Sequence, residues 1–393
     1  MIKKFDYKII FILVIFFLYL GEYLLYKKYI YKEIDNSKLS SIENIIKYHN
    51  APEYLLLNAF IKSDELTPIQ RPYKHFKKNL EIYPLAGVSN KKTILCRNAH
   101  KTIFYESDKY GFNNPNFVWD NQEIKNVVIG SNFAHGACVE RKNNITSKLS
   151  LLQNSIHLNL SYGKYGPLIK LAALREYSGQ FKIENILWFT SIDSLTTDLN
   201  GELKSVILNK YLNEAKFSQN LKEKQKEIDN FVAKSIEKET EDHMARYIEN
   251  LKEQNLNYRN RFLKLHTLRR YILDLNFLNK DNNKTREIVI NKNFTKTLKQ
   301  VTNLPWLKES NIYIIFKPTY EDFENETYND YSVLLKKISK KNNFNFIDLK
   351  KKIEEKEINY LKLFNPPESI YKSIHNEIGH KVIAEIINEN ILN

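Results

Sequence analysis

Five short runs of β-branched and aromatic residues, set a helix-length or more apart, constrain this chain more than any other feature. They are NVVIG at 126–130, IHLNL at 156–160, ILWF at 186–189, IYIIF at 312–316 and FNFIDL at 344–349. A strand with one wet face alternates apolar and polar residues, so runs this continuous read as strands buried on both faces. Buried strands separated by helical segments build an α/β domain, a parallel sheet with helices on both sides. The last expected helix, 377–388, agrees with this. It puts Ile378, Val382, Ile383, Ile386 and Ile387 on one stripe, as docking on a sheet requires.

The amino terminus has a different texture. The run 9–20 (IIFILVIFFLYL) carries no charge. Continued through Gly21 and Glu22 to Tyr26, it gives about 18 residues, the lower end of a bilayer span. The following GEYLLYKKY lacks a small-x-small cleavage pattern, which favours an uncleaved transmembrane signal anchor (1–30) over a secretory signal peptide. Lys3, Lys4 and Lys8 on one side nearly balance Lys27, Lys28 and Lys32 on the other, so charge alone does not set the orientation. A polar membrane-proximal segment follows (31–82), with TPIQRP at 67–72, and the α/β domain is expected as 83–205 and 303–393. Between them, 206–302 reads as a long helical insertion. Lys, Glu and Gln are dense there, with Met244, Ile248, Leu251, Tyr258, Phe262, Leu265 and Ile272 at helical spacing and a turn-rich exit at 281–284. No strict heptad persists, so a lid or buttress against the α/β core is expected rather than a coiled-coil partner.

Composition narrows the function. The chain has 60 Lys and Arg against 46 Asp and Glu, a net charge of +14 that could suit a nucleic-acid partner. Lys and Glu alternate throughout, however, and abundant Lys, Asn, Ile, Tyr and Phe beside scarce Gly and Pro fit an AT-rich coding genome. No nucleic acid is therefore expected. No Cys/His cluster has metal-ligand spacing, and no Gly-rich phosphate loop occurs, so neither metal nor cofactor is expected. The two cysteines, Cys96 and Cys138, are compatible with one disulfide or with two buried thiols.

In an open parallel sheet, chemistry gathers at the carboxyl ends of the strands. After the first run the sequence is Gly130, Ser131, Asn132, Phe133, Ala134, His135, Gly136. This resembles the nucleophile turn of the SGNH/GDSL hydrolases, Gly-Asp-Ser-Phe, often followed by Thr-His-Gly. Four further blocks resemble that superfamily in the correct order. DKYGFNNPN (108–116) precedes the first strand as in membrane-anchored members. NLSYGKYGPL (159–168) sits at the oxyanion block, LWFTSIDSL (187–195) at the Gly-Asn-Asp block, and SIHNEIGHKVIAEII (373–387) at the His-x-Asn-x-x-Gly block. The resemblance covers roughly 83–205 and 311–393. It implies a flavodoxin-like SGNH fold and a serine esterase or acyl-transfer enzyme acting on acylated envelope glycans or lipids. It also implies a single-pass protein of the bacterial inner membrane with its α/β domain on the periplasmic side.

The departures from the family pattern bear on activity. Asn132 holds the nucleophile position, and an amide cannot be deprotonated usefully near neutral pH. The second-block oxyanion N–H falls on Gly163 or Lys164, and Ser194 replaces the usual block-three Asn, with a hydroxyl that can still donate. His375 is retained as the candidate base, but Lys372 stands three residues earlier where the family has an Asp. Weak or lost catalysis is expected. One alternative stays open: a slipped turn that brings the Ser131 hydroxyl to His375 or His135. The other is a non-catalytic protein that keeps the cleft to bind a ligand or partner. Asp108, Tyr110, Asn113 and Asn114 read as a structural turn.

Overall fold

The structure is a computed structural model that describes residues 7–25, 80–97, 102–232, 290–365 and 373–392, with isolated positions between 234 and 272. Most of 31–82, the flanking lysines 3, 4, 27, 28 and 32, four of the insertion's expected apolar positions (Met244, Ile248, Leu251 and Tyr258), the 281–284 turn, Lys372 and the Cys96 side chain lie outside the described residues. Two compact units divide the chain, 1–51 with 240–287, and 52–239 with 288–393.

The larger unit is α/β, as the apolar runs require. A hairpin that the sequence pattern did not announce, β1 (Lys92–Arg97) and β2 (Thr102–Glu106), comes first. Five parallel strands follow: β3 (Glu123–Ile129), β4 (His157–Asn159), β5 (Lys182–Thr190), β6 (Asn311–Phe316) and β7 (Asn345–Asp348). Their order is β4-β3-β5-β6-β7. Counted within the sheet this is 2-1-3-4-5, the flavodoxin-like doubly wound order with its switch point between the first and third strands.

Side chains alternate across the sheet, and each face has its own core. Val127, Ile129, Ile186, Trp188, Ile312 and Ile314 face helices α4 (Pro167–Tyr177), α6 (Val206–Asn213), α7 (Lys292–Thr302) and α8 (Glu326–Lys341). Val128, Leu187, Phe189, Ile315 and Ile347 face α2 (Asn132–His135), α3 (Ile145–Gln153), α9 (Leu349–Glu355) and α10 (Glu377–Leu392). The intervening α5 (Leu199–Glu202) also adds Leu199 to the first core. So do Leu208, Leu221, Ile228, Val232, Phe294 and Leu298. Of the 206–302 segment, the residues up to 239 and from 288 belong to this unit, and 240–287 belongs to the smaller one.

Register is marked by polar residues that precede the apolar runs. Asn126 pairs with Asn185, and Asn185 with Asn311. The Asn185 amide donates to Asn126 Oδ1 (2.9 Å), and the Asn311 amide donates to Asn185 Oδ1 (3.1 Å). The chain of bonds continues from Asn126 to Gln153 (2.7 Å) and from Gln153 to Asn388 on α10 (2.9 Å). A one-residue slip of any strand would strand these amides among apolar side chains, so the ladder penalises misregistry.

In the smaller unit, α1 (Tyr7–Leu25) covers the apolar amino terminus. No helix among the described residues is long and apolar enough to cross a membrane. The uncharged run 9–21, bounded by Lys8 and Glu22, is only about 20 Å long at helical rise, against a hydrocarbon core of about 30 Å. Tyr19 packs on Phe262 with ring centroids 5.4 Å apart and donates to the Leu263 carbonyl (3.0 Å), and Glu22 accepts the Leu268 N–H (2.6 Å). The described insertion residues Phe262, Leu263 and Leu268 thus contact α1.

Candidate functional site

The loops after β3, β4 and β5 meet at the switch point. Gly130 leaves β3 where a Cβ would lie 2.7 Å from Ala134 Cβ and 2.8 Å from Phe189 Cβ, so the turn closes tightly against β5. Ser131 occupies the N-cap of α2 but makes no side-chain cap bond. Gly136 ends this short helix at φ 92°, the left-handed conformation that glycine adopts without strain.

The turn is held from beneath by the 108–116 block. Asp108, fully buried, accepts from the N–H groups of Tyr110 and Phe112 (2.9 Å each), from the Asn114 amide and from the Trp119 indole (2.8 Å each). Burial raises its carboxyl to about 6 despite these four donors. Asn113 donates to the His135 carbonyl (3.0 Å), and Asn114 brackets Asn159 by accepting its N–H and donating to its carbonyl. Asn159 in turn donates to the Ala134 carbonyl (2.8 Å) and accepts from Ser161 N–H (2.9 Å), which ends β4. The block is a structural turn that joins the nucleophile-position loop to the second one.

At the nucleophile position, Asn132 Oδ1 accepts the Lys164 N–H (3.2 Å). Lys164 has φ 63°, so the second loop reaches this bond in a left-handed turn. One of the two candidate oxyanion donors, Gly163 and Lys164, is thus already taken by the Asn132 side chain. Ser194 is 1% exposed, and its hydroxyl oxygen accepts from Lys170 Nζ (2.9 Å), which also donates to the Phe189 carbonyl (2.8 Å). Glu202 accepts from the N–H groups of Leu168 and Ile169 and caps α4. Burial pushes Lys170 down and Glu202 up, while their mutual attraction opposes both shifts. This charge cluster, invisible in the motif pattern, ties α4 to the end of β5 and holds Ser194 inside the protein.

His375 enters through an isolated antiparallel bridge to Phe364. Its ring packs on Phe364 (4.1 Å) and Phe133 (4.9 Å), it is 1% exposed, and its Nε2 has no hydrogen-bond partner. Burial, then the neighbouring charges of Lys317 and His380, hold it well below the ordinary imidazole range. His380 stacks on Phe133 at 4.3 Å with both ring nitrogens unpartnered, and burial with Lys317 and Lys148 holds it at about 3. His135 packs between Tyr105 and Tyr162, and burial takes it to about 3. Lys317 lies over Phe133 at 5.7 Å, and burial lowers it to about 8 although the charges of Asp322, Asp193 and Glu321 oppose that shift.

Chemically, Asn132 and Ser131 are brought beside the His375 aromatic box through Phe133, but no hydroxyl reaches His375 Nε2. Ser194 is turned away to Lys170. A general base must stand within hydrogen-bond reach of the proton it takes, a contact that can lengthen in an unliganded site. Among the described residues no group of three or more His, Cys, Asp or Glu is placed to hold a metal. Cys138 is disulfide-bonded. A cavity of about 210 Å³ at the opposite, amino-terminal edge of the sheet gathers Asn311, Asn342, Asn343 and Asn345 but no carboxylate, imidazole or thiol. No protein-family model matches the chain, and no curated protein matches it in sequence.

Proposed function

We propose that this chain is an SGNH-like protein, held at a membrane by α1, whose switch-point crevice binds an acylated glycan or lipid of the cell envelope without forming an acyl-enzyme. The observation that carries this reading is the bond from Lys164 N–H to Asn132 Oδ1 (3.2 Å). An SGNH-type hydrolase would need a hydroxyl at 132 and a vacant oxyanion N–H at 163 or 164. Here a carboxamide stands at 132 and occupies the N–H of 164, and the imidazole at 375 is kept neutral among aromatic rings with no hydroxyl to activate. Attachment to a bilayer is supported by the surface of α1. Every residue from Phe11 to Leu18 is exposed, between 39% and 66%. An apolar helix uncovered on all sides requires lipid or a protein partner around it. The disulfide at Cys138 favours an oxidising, extracytoplasmic location for the α/β unit.

A second reading has one observation in its favour: Ser131, half-buried, spends no hydroxyl bond on capping α2. A displaced serine nucleophile would make the chain an esterase. The full chain in detergent is treated with a fluorophosphonate probe and a short-chain ester, beside Ser131→Ala, His375→Ala and Asn132→Ser variants. The binding reading expects no labelling of the native protein or of the two alanine variants. Native labelling that disappears in both Ser131→Ala and His375→Ala overturns it in favour of the displaced nucleophile. Labelling gained only in Asn132→Ser would show that the rest of the ester site survives around an inert position.

A further inference from the structure

The aromatic box around His375 continues outward. Ring centroids follow one another from Phe133 to His375 (4.9 Å), Phe364 (4.1 Å), Tyr320 (5.6 Å), Tyr360 (6.0 Å) and Phe323 (4.2 Å). The first three are buried and the last three half-buried, so the row runs from the α2 turn to solvent. Its outer members come from the loop between β6 and α8 and from the short turn Tyr360–Leu363. Phe323 and Tyr360 lie parallel, 6° apart in plane, and cover each other's face. Tyr320 meets Phe364 at 85° and Tyr360 at 61°, so no ring stacks on it in parallel, and its hydroxyl makes no hydrogen bond among the described residues. The chain carries a net charge of +14, yet two stretches at this end of the sheet contain acids and no Lys, Arg or His. They are 183–203, which spans β5 and the loop after it, and 318–335, which opens with the loop after β6. Glu324 accepts from the Tyr360 hydroxyl (3.2 Å) and Glu321 from the Ser373 hydroxyl (3.1 Å). Both carboxylates are exposed, and neither forms an ion pair among the described residues. Lys317, at the base of the loop, donates to the Pro318 carbonyl (2.8 Å).

We infer that the outer end of this row is a subsite for an amino sugar, whose ring lies against Tyr320 and whose ammonium pairs with Glu321 and Glu324. The inference deepens the reading of the crevice as a glycan-binding cleft and rests on it. A pyranose presents a face of C–H bonds with a rim of polar groups, the counterpart of a tyrosine ring that has an unspent hydroxyl and carboxylates beside it. An ammonium on that rim is attracted by the ring and by the carboxylates together. A neutral sugar would leave Glu321 and Glu324 unopposed, and a basic peptide would use the carboxylates without the tyrosine ring. Two rings further in, His375 Nε2 is buried and unpartnered, a state that a sugar hydroxyl entering the row would relieve.

The test titrates the full chain in detergent with chitosan hexamer, with the N-acetylated chitin hexamer and with tetralysine, by calorimetry in a mildly acidic buffer that keeps glucosamine amines charged. We expect chitosan hexamer to bind about tenfold tighter than chitin hexamer, the gain from an ammonium shared between a ring and two exposed carboxylates. Glu321→Gln combined with Glu324→Gln, both at exposed positions that the fold does not depend on, should remove that preference. Tyr320→Ala should weaken both hexamers about fivefold, whereas Tyr320→Phe, which keeps the ring, should retain binding. Equal affinity for the two hexamers overturns the amino-sugar inference while the glycan reading stands. Tetralysine binding as tightly as chitosan hexamer, and unaffected by Tyr320→Ala, overturns it in favour of a bare acidic patch. Absence of binding by either hexamer overturns the inference. If the native protein is also labelled by the fluorophosphonate probe, the non-catalytic reading of the crevice falls with it.

Discussion

The α2 turn is flanked by two regions that stabilise it by opposite means. On the 108–116 side the buried polar groups are satisfied: Asp108 gathers four donors, Asn113 binds the His135 carbonyl, and Asn114 holds Asn159, which binds the Ala134 carbonyl. On the 373–380 side the contacts are aromatic, and His375 Nε2 and both nitrogens of His380 lack partners. A satisfied buried network rigidifies, whereas an unpartnered buried imidazole costs its desolvation. The 108–116 support of the turn is therefore firmly built, while the His375 imidazole is packed away as a neutral ring.

Three experiments bear on this contrast, beginning with the largest expected effect. Asp108→Ala orphans two backbone N–H groups, an amide and an indole. It should lower unfolding free energy by about 3–5 kcal/mol in urea titrations. A loss under about 1 kcal/mol would mean that the network does not hold the turn.

Acidification should separate the two regions by sign. His135 and His380 have folded values near 3, below the ordinary 6.5, so the unfolded chain takes up protons first as pH falls. Their stability contribution is present above about 6.5 and is lost toward 3, about 2 kcal/mol for each imidazole between pH 7 and 5. Asp108 works the other way: raised from 3.8 to about 6, it takes its proton in the folded state first and regains about 1.4 kcal/mol over the same interval. Urea midpoints measured from pH 7 to 5 should therefore fall in the native protein and fall more steeply in Asp108→Asn. A midpoint that rises on acidification would contradict the neutral imidazoles.

The smallest effect expected is from His380→Phe, which keeps a ring against Phe133 and removes two unpaired nitrogens. It should stabilise the protein by about 1 kcal/mol at pH 7 and flatten the acid slope. Destabilisation by a similar amount would indicate a hydrogen-bond partner, such as a bound water, for that imidazole.

Much of the α/β unit was legible because buried parallel strands leave a local trace. All five apolar runs became strands of one sheet, and the expected 377–388 helix is α10, Glu377–Leu392. Boundaries moved where a side chain, not hydropathy, ends the element: β4 stops at Asn159 because its carboxamide accepts from Ser161 N–H. The β1–β2 hairpin gave no comparable trace, since its residues stand among Lys, Thr and Arg. The substitutions at 132 and 194 were readable as letters, but their consequences were not. That Asn132 fills the Lys164 N–H, and that Ser194 turns to Lys170, depends on loops more than twenty residues apart meeting at one strand edge.

By itself the sequence determined what periodicity and composition can dictate: an α/β class, the strands and an apolar amino-terminal helix. Tertiary structure decided the 2-1-3-4-5 order, the division of the insertion between two units, and the burial of His375 without a hydroxyl partner. The physical reason is range. Hydropathy and backbone propensity act over one element, whereas strand order, desolvation and hydrogen-bond satisfaction are fixed only when distant segments come into contact.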